Sequence, residues 1–198
     1  MFNDIISKCI IQVKRECQFF GALMLFAKIY ADQSVDTAAT DGKKILVNEK
    51  FLSSLKSSEQ NALLLHEVLH MALLHVTRRG QRDPFIWNIA ADIVVNDLIL
   101  RNTKFKLPDG AVSNKKYTDK SVEYIYEDLL KDDKYKKIKF KSWFLDILDQ
   151  KKKENEKNEE GKRLTEDEIE EVESFWRDKL EVLKNADQFD SNNKSQGT

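Results

Sequence analysis

Residues 61–77 read NALLLHEVLHMALLHVT, and how this run is assigned decides how the rest of the chain must fold. Leu63, Leu64, Leu65, Val68, Leu69, Met71, Ala72, Leu73, Leu74 and Val76 cover nearly every side of a helix drawn through it. A helix that is apolar all round is one the fold buries. Upstream, Ser57 and Gln60 have the spacing of a capping box, whose side chains satisfy the first unpaired amides. Downstream, Arg78 and Arg79 set cations at the negative end of the dipole and Gly80 offers a C-terminal cap. The reading predicts one buried helix from Ser57 to about Thr77.

All three histidines of the chain fall on this helix. His66 and His70 are four residues apart, so their rings stand on one face, one turn apart, and can reach a common ion. Zinc suits two neutral imidazoles with an oxygen ligand and a fourth position left to water. Glu67 adjoins the first histidine, where it can act as general base toward metal-bound water without itself ligating. The alternative is a buried helix whose histidines are merely hydrogen-bonded. Each polar group would then need its own partner, because unpaired burial costs about 1–3 kcal/mol per group. A single cation meets most of that demand.

His75 lies about 140° around the helix from His70 and about 180° from His66 at 100° per residue. No glycine or proline between Met71 and Leu74 lets the chain turn back, so His75 is expected to be a helix-end cation or hydrogen-bonding residue. Asp92 is the better third ligand. Asn88, Asp92 and Asn96 recur every four residues and form one polar stripe on a helix otherwise built from Ile, Ala, Val and Trp. A carboxylate in such surroundings must be paired or coordinating. Pairing with Arg78, Arg79 or Arg82 is the competing possibility. Asn88 and Asn96 are expected behind the ligands, orienting them.

Around this centre the chain reads as predominantly helical. Phe2, Ile5, Ile6, Cys9, Ile10, Val13 and Cys17 form one stripe of an N-terminal helix. Phe19–Tyr30 reads as a second, with Gly21 marking a bend. Val35–Thr40 and Lys43–Asn48 flank Asp41-Gly42, a dipeptide suited to a tight hairpin turn. Asp83-Pro84 looks like an N-cap with proline at the first helical position, opening a buried helix over Phe85–Arg101. Ser121–Leu130 is a short amphipathic helix. The nearly all-polar stretch from Asp149 to Arg163 reads as solvated linker, and Thr165 opens a last helix carrying Ile169, Val172, Phe175, Trp176, Leu180 and Leu183.

The net charge of −1 points to neither a nucleic acid nor a membrane surface as partner. No apolar run reaches the roughly 20 residues of a membrane span. Cys9 and Cys17, about 12 Å apart if they share a helix, are too far for a bridge and read as reduced core residues. With no signal-peptide pattern at Met1–Asp4, a cytoplasmic location is expected.

Several of these residues taken together resemble a known family. The run Thr37-Ala38-Ala39-Thr40-Asp41-Gly42, then Asn48, His66–His70, Arg78-Arg79-Gly80, Trp87–Asp92 with Asn96, and Ser121–Tyr126 is similar to the metallopeptidase domain that precedes a von Willebrand factor A-like domain in bacterial and phage proteins. The resemblance implies an α+β, mainly helical, zincin-like fold with a small β-hairpin or sheet. It also implies zinc on His66 and His70 and Glu67 as catalytic base, with a second helix supplying the last ligand. A peptide substrate would be expected to add as a strand along a sheet edge, for which Lys43–Asn48 is the candidate. Tyr117, Tyr124, Tyr126 and Arg78, Arg79 and Arg82 are candidate oxyanion stabilisers, none singled out. The expected organisation is a zincin-like metallopeptidase domain over 1–148, a charged linker over 149–165, and a helical segment over 166–198 that begins a further region. Two functions follow as expectations. One is a zinc-dependent peptidase. The other is an inactive zinc-binding scaffold working with an AAA-type ATPase or a von Willebrand factor A-like partner.

Overall fold

The computed structural model describes residues 2–131 and 164–195, with only the course of the helix given for 187–195. Most of the charged linker, and the lysine-rich run after Lys131, lie outside the described residues. The fold is α+β and mainly helical, with one small mixed sheet.

Helix α1 (Phe2–Glu16) buries Cys9 and Val13 of the expected stripe. It ends at Cys17, which is extended (φ −147°, ψ 111°), and α2 (Gln18–Met24) starts at once. The bend therefore falls at Cys17, not at Gly21. Gly21 answers a different need: a Cβ there would lie 2.4 Å from the Lys14 Cα, so its lack of a side chain lets α2 press against α1.

The expected helix over Phe19–Tyr30 is cut short. Beyond Met24 the chain leaves the helix, and Ile29–Ala31 forms β1. It pairs in parallel with β3 (Ile45–Val47), setting Ile29 opposite Ile45, while β2 (Ala38–Thr40) pairs antiparallel with β3, setting Ala38 opposite Val47. The order β1-β3-β2 puts β3 in the middle. Lys43–Asn48 is thus not the sheet edge, because its strand is paired on both sides. The edge nearest the helical core is β2, which packs on the helix bearing the histidines. Asp41-Gly42 does lie between β2 and β3, but in a four-residue loop. Asp41 Oδ1 accepts from the amides of Lys43 and Lys44 at 2.9 Å each, and Thr40 Oγ1 donates to Lys44 O at 2.8 Å. Side-chain acceptors hold this wider loop open, and Gly42 supplies its positive φ of 89°.

Helix α3 (Glu49–Ser54) is capped by Asn48, whose Oδ1 accepts from Phe51 N at 3.0 Å. Helix α4 (Ser57–Ala72) is buried from Asn61 onward. Its cap sits one residue earlier than expected. Glu59 Oε2 accepts from the Lys56 amide at 2.9 Å, while Gln60 reaches away to Leu52 O. Helix α4 also stops early. Leu74 takes the left-handed conformation, and the four-residue α5 (His75–Arg78) sets off in a new direction.

Helix α6 (Pro84–Asn102) opens as expected, with Asp83 Oδ1 accepting from Ile86 N at 2.9 Å and Pro84 in the first turn. It lies against α4 on one side and α7 (Val122–Lys131) on another. A short 3₁₀ turn, Lys115–Tyr117, precedes α7. Two apolar clusters result. One joins α1, α2, α4 and the sheet, and the other packs Trp87, Ile93, Ile125 and Leu129 between α6 and α7.

The last helix, α8 (Glu166–Ser195), is capped reciprocally: Thr165 Oγ1 accepts from Glu168 N, and Glu168 Oε2 from Thr165 N. Val172 and Trp176 are buried in the first cluster, and Trp176 Nε1 donates to Gly42 O at 3.4 Å. Among the described residues no helix is long and apolar enough to cross a membrane.

Candidate metal centre

The local chain geometry decides what meets at the centre. On α4, His66 and His70 are one turn apart and both buried, and Glu67 between them is wholly buried. On α6, Asn88, Asp92 and Asn96 form the expected stripe, and all three are buried. Packing α6 on α4 brings the two polar faces together. His70 Nε2 lies 2.9 Å from His66 Nε2 and 3.2 Å from Asp92 Oδ1, and the His66 Nε2 to Asp92 Oδ1 distance is 3.6 Å. Among the described residues, His66, His70 and Asp92 form a group whose ligand atoms all lie within 4.8 Å of one another.

Each member is held from behind. Asn96 Oδ1 lies 2.9 Å from His66 Nδ1, so the ring donates there and turns its Nε2 lone pair inward. The other end of the same amide, Asn96 Nδ2, donates to Val112 O at 2.8 Å. Asn88 Nδ2 donates to Asp92 Oδ2 at 3.2 Å, which leaves Oδ1 to face the imidazoles. Two of the three competing partners of Asp92 are engaged elsewhere. Arg78 Nη2 binds Glu123, and Arg82 donates to the carbonyls of Arg78 and Arg79 with its guanidinium 5.0 Å from the Trp87 ring centre.

His75 departs from the sequence reading in position though not in kind. Because Leu74 turns the chain, His75 comes back beside the centre, with its Nδ1 3.2 Å from His70 Nδ1. Its carbonyl accepts from Trp87 Nε1 at 2.8 Å. It is a hydrogen-bonding residue behind His70, outside the ligand group. It is no helix-end cation: burial, and then the charges of His70, Arg78 and His66, push its pKa well below the usual histidine value. The Nδ1 pair admits two tautomers. If His70 donates, its Nε2 lone pair points inward; if His75 donates, the His70 Nε2–H points at His66 and Asp92.

Four observations bear on whether a metal fits. Asp92 Oδ1 is buried and accepts no aligned hydrogen bond. Burial works against its charge, yet the adjacent imidazoles outweigh that and hold the Asp92 carboxyl below its ordinary value. The three edges of 2.9, 3.6 and 3.2 Å bracket the edge of about 3.3 Å expected for a tetrahedron with zinc bonds of 2.0–2.1 Å. Two imidazoles and a carboxylate also match the donor set of an open, three-ligand centre. The residues fit.

The centre opens onto a cleft of about 340 Å³, to which His66, Asp92 and Asn96 contribute. Thr37, the residue before β2, also lines it. None of the tyrosines or arginines considered as oxyanion stabilisers does. Tyr117 donates to Asp128, the Tyr126 hydroxyl accepts from Asp83 N, and Tyr124 is exposed. The sequence reading missed the cleft walls, Phe51 and Leu55 at α3 and Leu107–Ala111 after α6. They carry no motif, and their approach to the centre depends on contacts distant in sequence.

A buried pair of imidazoles one turn apart on one helix, faced by a carboxylate from a second, defines a protein with a candidate metal centre at the edge of a cleft. The chain belongs to the family described as "Putative metallopeptidase domain", whose model matches residues 5–196. A protein of Thermotoga maritima described as uncharacterized is 24% identical over 131 residues, which cover 62% of this chain and 33% of that one. The chain therefore spans about a third of the length of that relative. No solved structure matches it.

Proposed function

We propose that the chain is a zinc-dependent peptidase domain in which Glu67 is the general base. The observation that carries this reading is the meeting of His66 Nε2, His70 Nε2 and Asp92 Oδ1 at near-tetrahedral spacing on the wall of a cleft. Those three atoms would hold the ion. Zinc in such a site supplies Lewis acidity, bringing water to a pKa of about 7 and polarising a carbonyl. Glu67 takes the proton of the attacking water on its carboxylate and later returns it to the leaving amine. Asn96 and His75 hold the two rings, and Asn88 holds the carboxylate. Thr37, the residue before β2, lines the cleft and is where a peptide backbone would pass the sheet. Leu164 onward belongs to the same unit in this reading, because Val172 and Trp176 complete the core beside α4.

The test combines metal analysis with turnover on a library of unfolded peptides. Wild type and Glu67→Gln should each carry stoichiometric zinc, and His70→Ala should lose it. Hydrolysis by Glu67→Gln should fall by roughly 100-fold or more, the usual contribution of a positioned acid–base group. Undiminished turnover in that variant would remove Glu67 from the role. Full zinc occupancy with no hydrolysis by wild type would instead make the centre a scaffold.

A further inference from the structure

The surface of the cleft beside the centre is mainly apolar. Phe51, Leu55, Leu63, Leu107, Pro108 and Ala111 come from three separate parts of the chain and face one space. Its charged lining beyond Asp92 is confined to Lys56, Glu59 and Asp109, of which Lys56 and Asp109 are exposed. A volume of about 340 Å³ stands at the small end of ligand pockets. It admits a side chain and a little backbone, not a folded partner. The same space reaches His66 and Asp92, so whatever fills it lies next to the group held at the metal centre.

Resting on the peptidase reading above, we propose that this cleft is the specificity pocket and selects peptides with a bulky apolar side chain beside the bond at the centre. Apolar walls reward the burial of an apolar side chain. A charged side chain would give up its water to these walls, and the few charges among them, Lys56, Glu59 and Asp109, are of both signs. Selection is therefore against acidic and basic residues at this position as much as for leucine-like ones.

The probes are N-acetylated hydroxamates of glycine, leucine and aspartate, titrated calorimetrically into the zinc-loaded full chain. The hydroxamate engages the metal in each, and only the side chain differs. The leucine compound is expected to bind roughly tenfold to a hundredfold more tightly than the glycine one, as burial of one aliphatic side chain predicts. The aspartate compound should gain nothing. Ala111→Trp, which fills the cleft from a half-buried loop position, should erase the advantage of leucine over glycine. Leu55→Ser should reduce that advantage by an independent route. Equal binding of the leucine and glycine compounds overturns the pocket while leaving the metal centre standing. Failure of all three to bind protein that carries zinc overturns the reading of the centre, and the pocket with it.

Discussion

Leu74 has φ 59° and ψ 33°, a backbone conformation that costs a residue with a Cβ roughly 1–2 kcal/mol. Nothing in the identity of the residue announces it, which is why the sequence reading ran the helix straight on to Thr77. The turn delivers His75 to within 3.2 Å of His70. Arg78 braces it, with Nη1 donating to Leu73 O at 2.9 Å. The consequence is a ring that can hold His70 in the tautomer a metal requires. His75→Ala should weaken zinc binding by about tenfold or more, the range found for lost partners of ligating histidines. Competition with a chromophoric chelator would measure it, with metal-free thermal unfolding run beside it to separate affinity from stability. Unaltered affinity in a folded variant would leave His75 as packing alone.

At the scale of elements, α5 is tied to α7 by Arg78 Nη2 and Glu123 Oε1 at 2.6 Å, both side chains a little over one-third exposed. Burial works against the Glu123 carboxylate, but hydrogen bonding from its own backbone and from Arg78, with the charges of Arg78 and Arg82, holds it below the ordinary 4.5. A carboxyl lowered on folding stabilises the native state above its unfolded value, and that contribution disappears as the pH falls through the folded value. Glu123→Gln should therefore lose up to about 1 kcal/mol at neutral pH, as for a partly solvated pair. Urea titrations should find the gap closing as the pH is taken below 4.5. A gap that persists in acid would locate the effect in packing. Elements of this kind divide cleanly in how far the sequence foretold them. Helices α4 and α6 were legible because polar residues every four positions are conspicuous in an apolar run. Strand β1 was not, since Ile29–Ala31 is three residues long and owes its form to β3, sixteen residues further on in register. The position of β3 at the middle of the sheet was hidden for the same reason.

For the molecule as a whole, the meeting of His66, His70 and Asp92 in one candidate group could be read from the sequence, because a helix converts a four-residue interval into a shared face. The space around them could not. Phe51, Leu63 and Leu107 are ordinary apolar residues until the fold assembles them, and no local pattern distinguishes a cleft wall from a core. The final helix is a related case: Val172 and Trp176 enter the core beside α4, although the reading of the chain had set residues 166–198 apart. The single amide of Asn96 links the two parts, gripping a ring on one side and the backbone at Val112 on the other. Immobilising that ring must stiffen the loop it is pinned to, so cation loading should be felt as slower amide deuteration across residues 107–112. With Asn96→Ala the pin is gone, and the loop should exchange at one rate whether or not the cation is there.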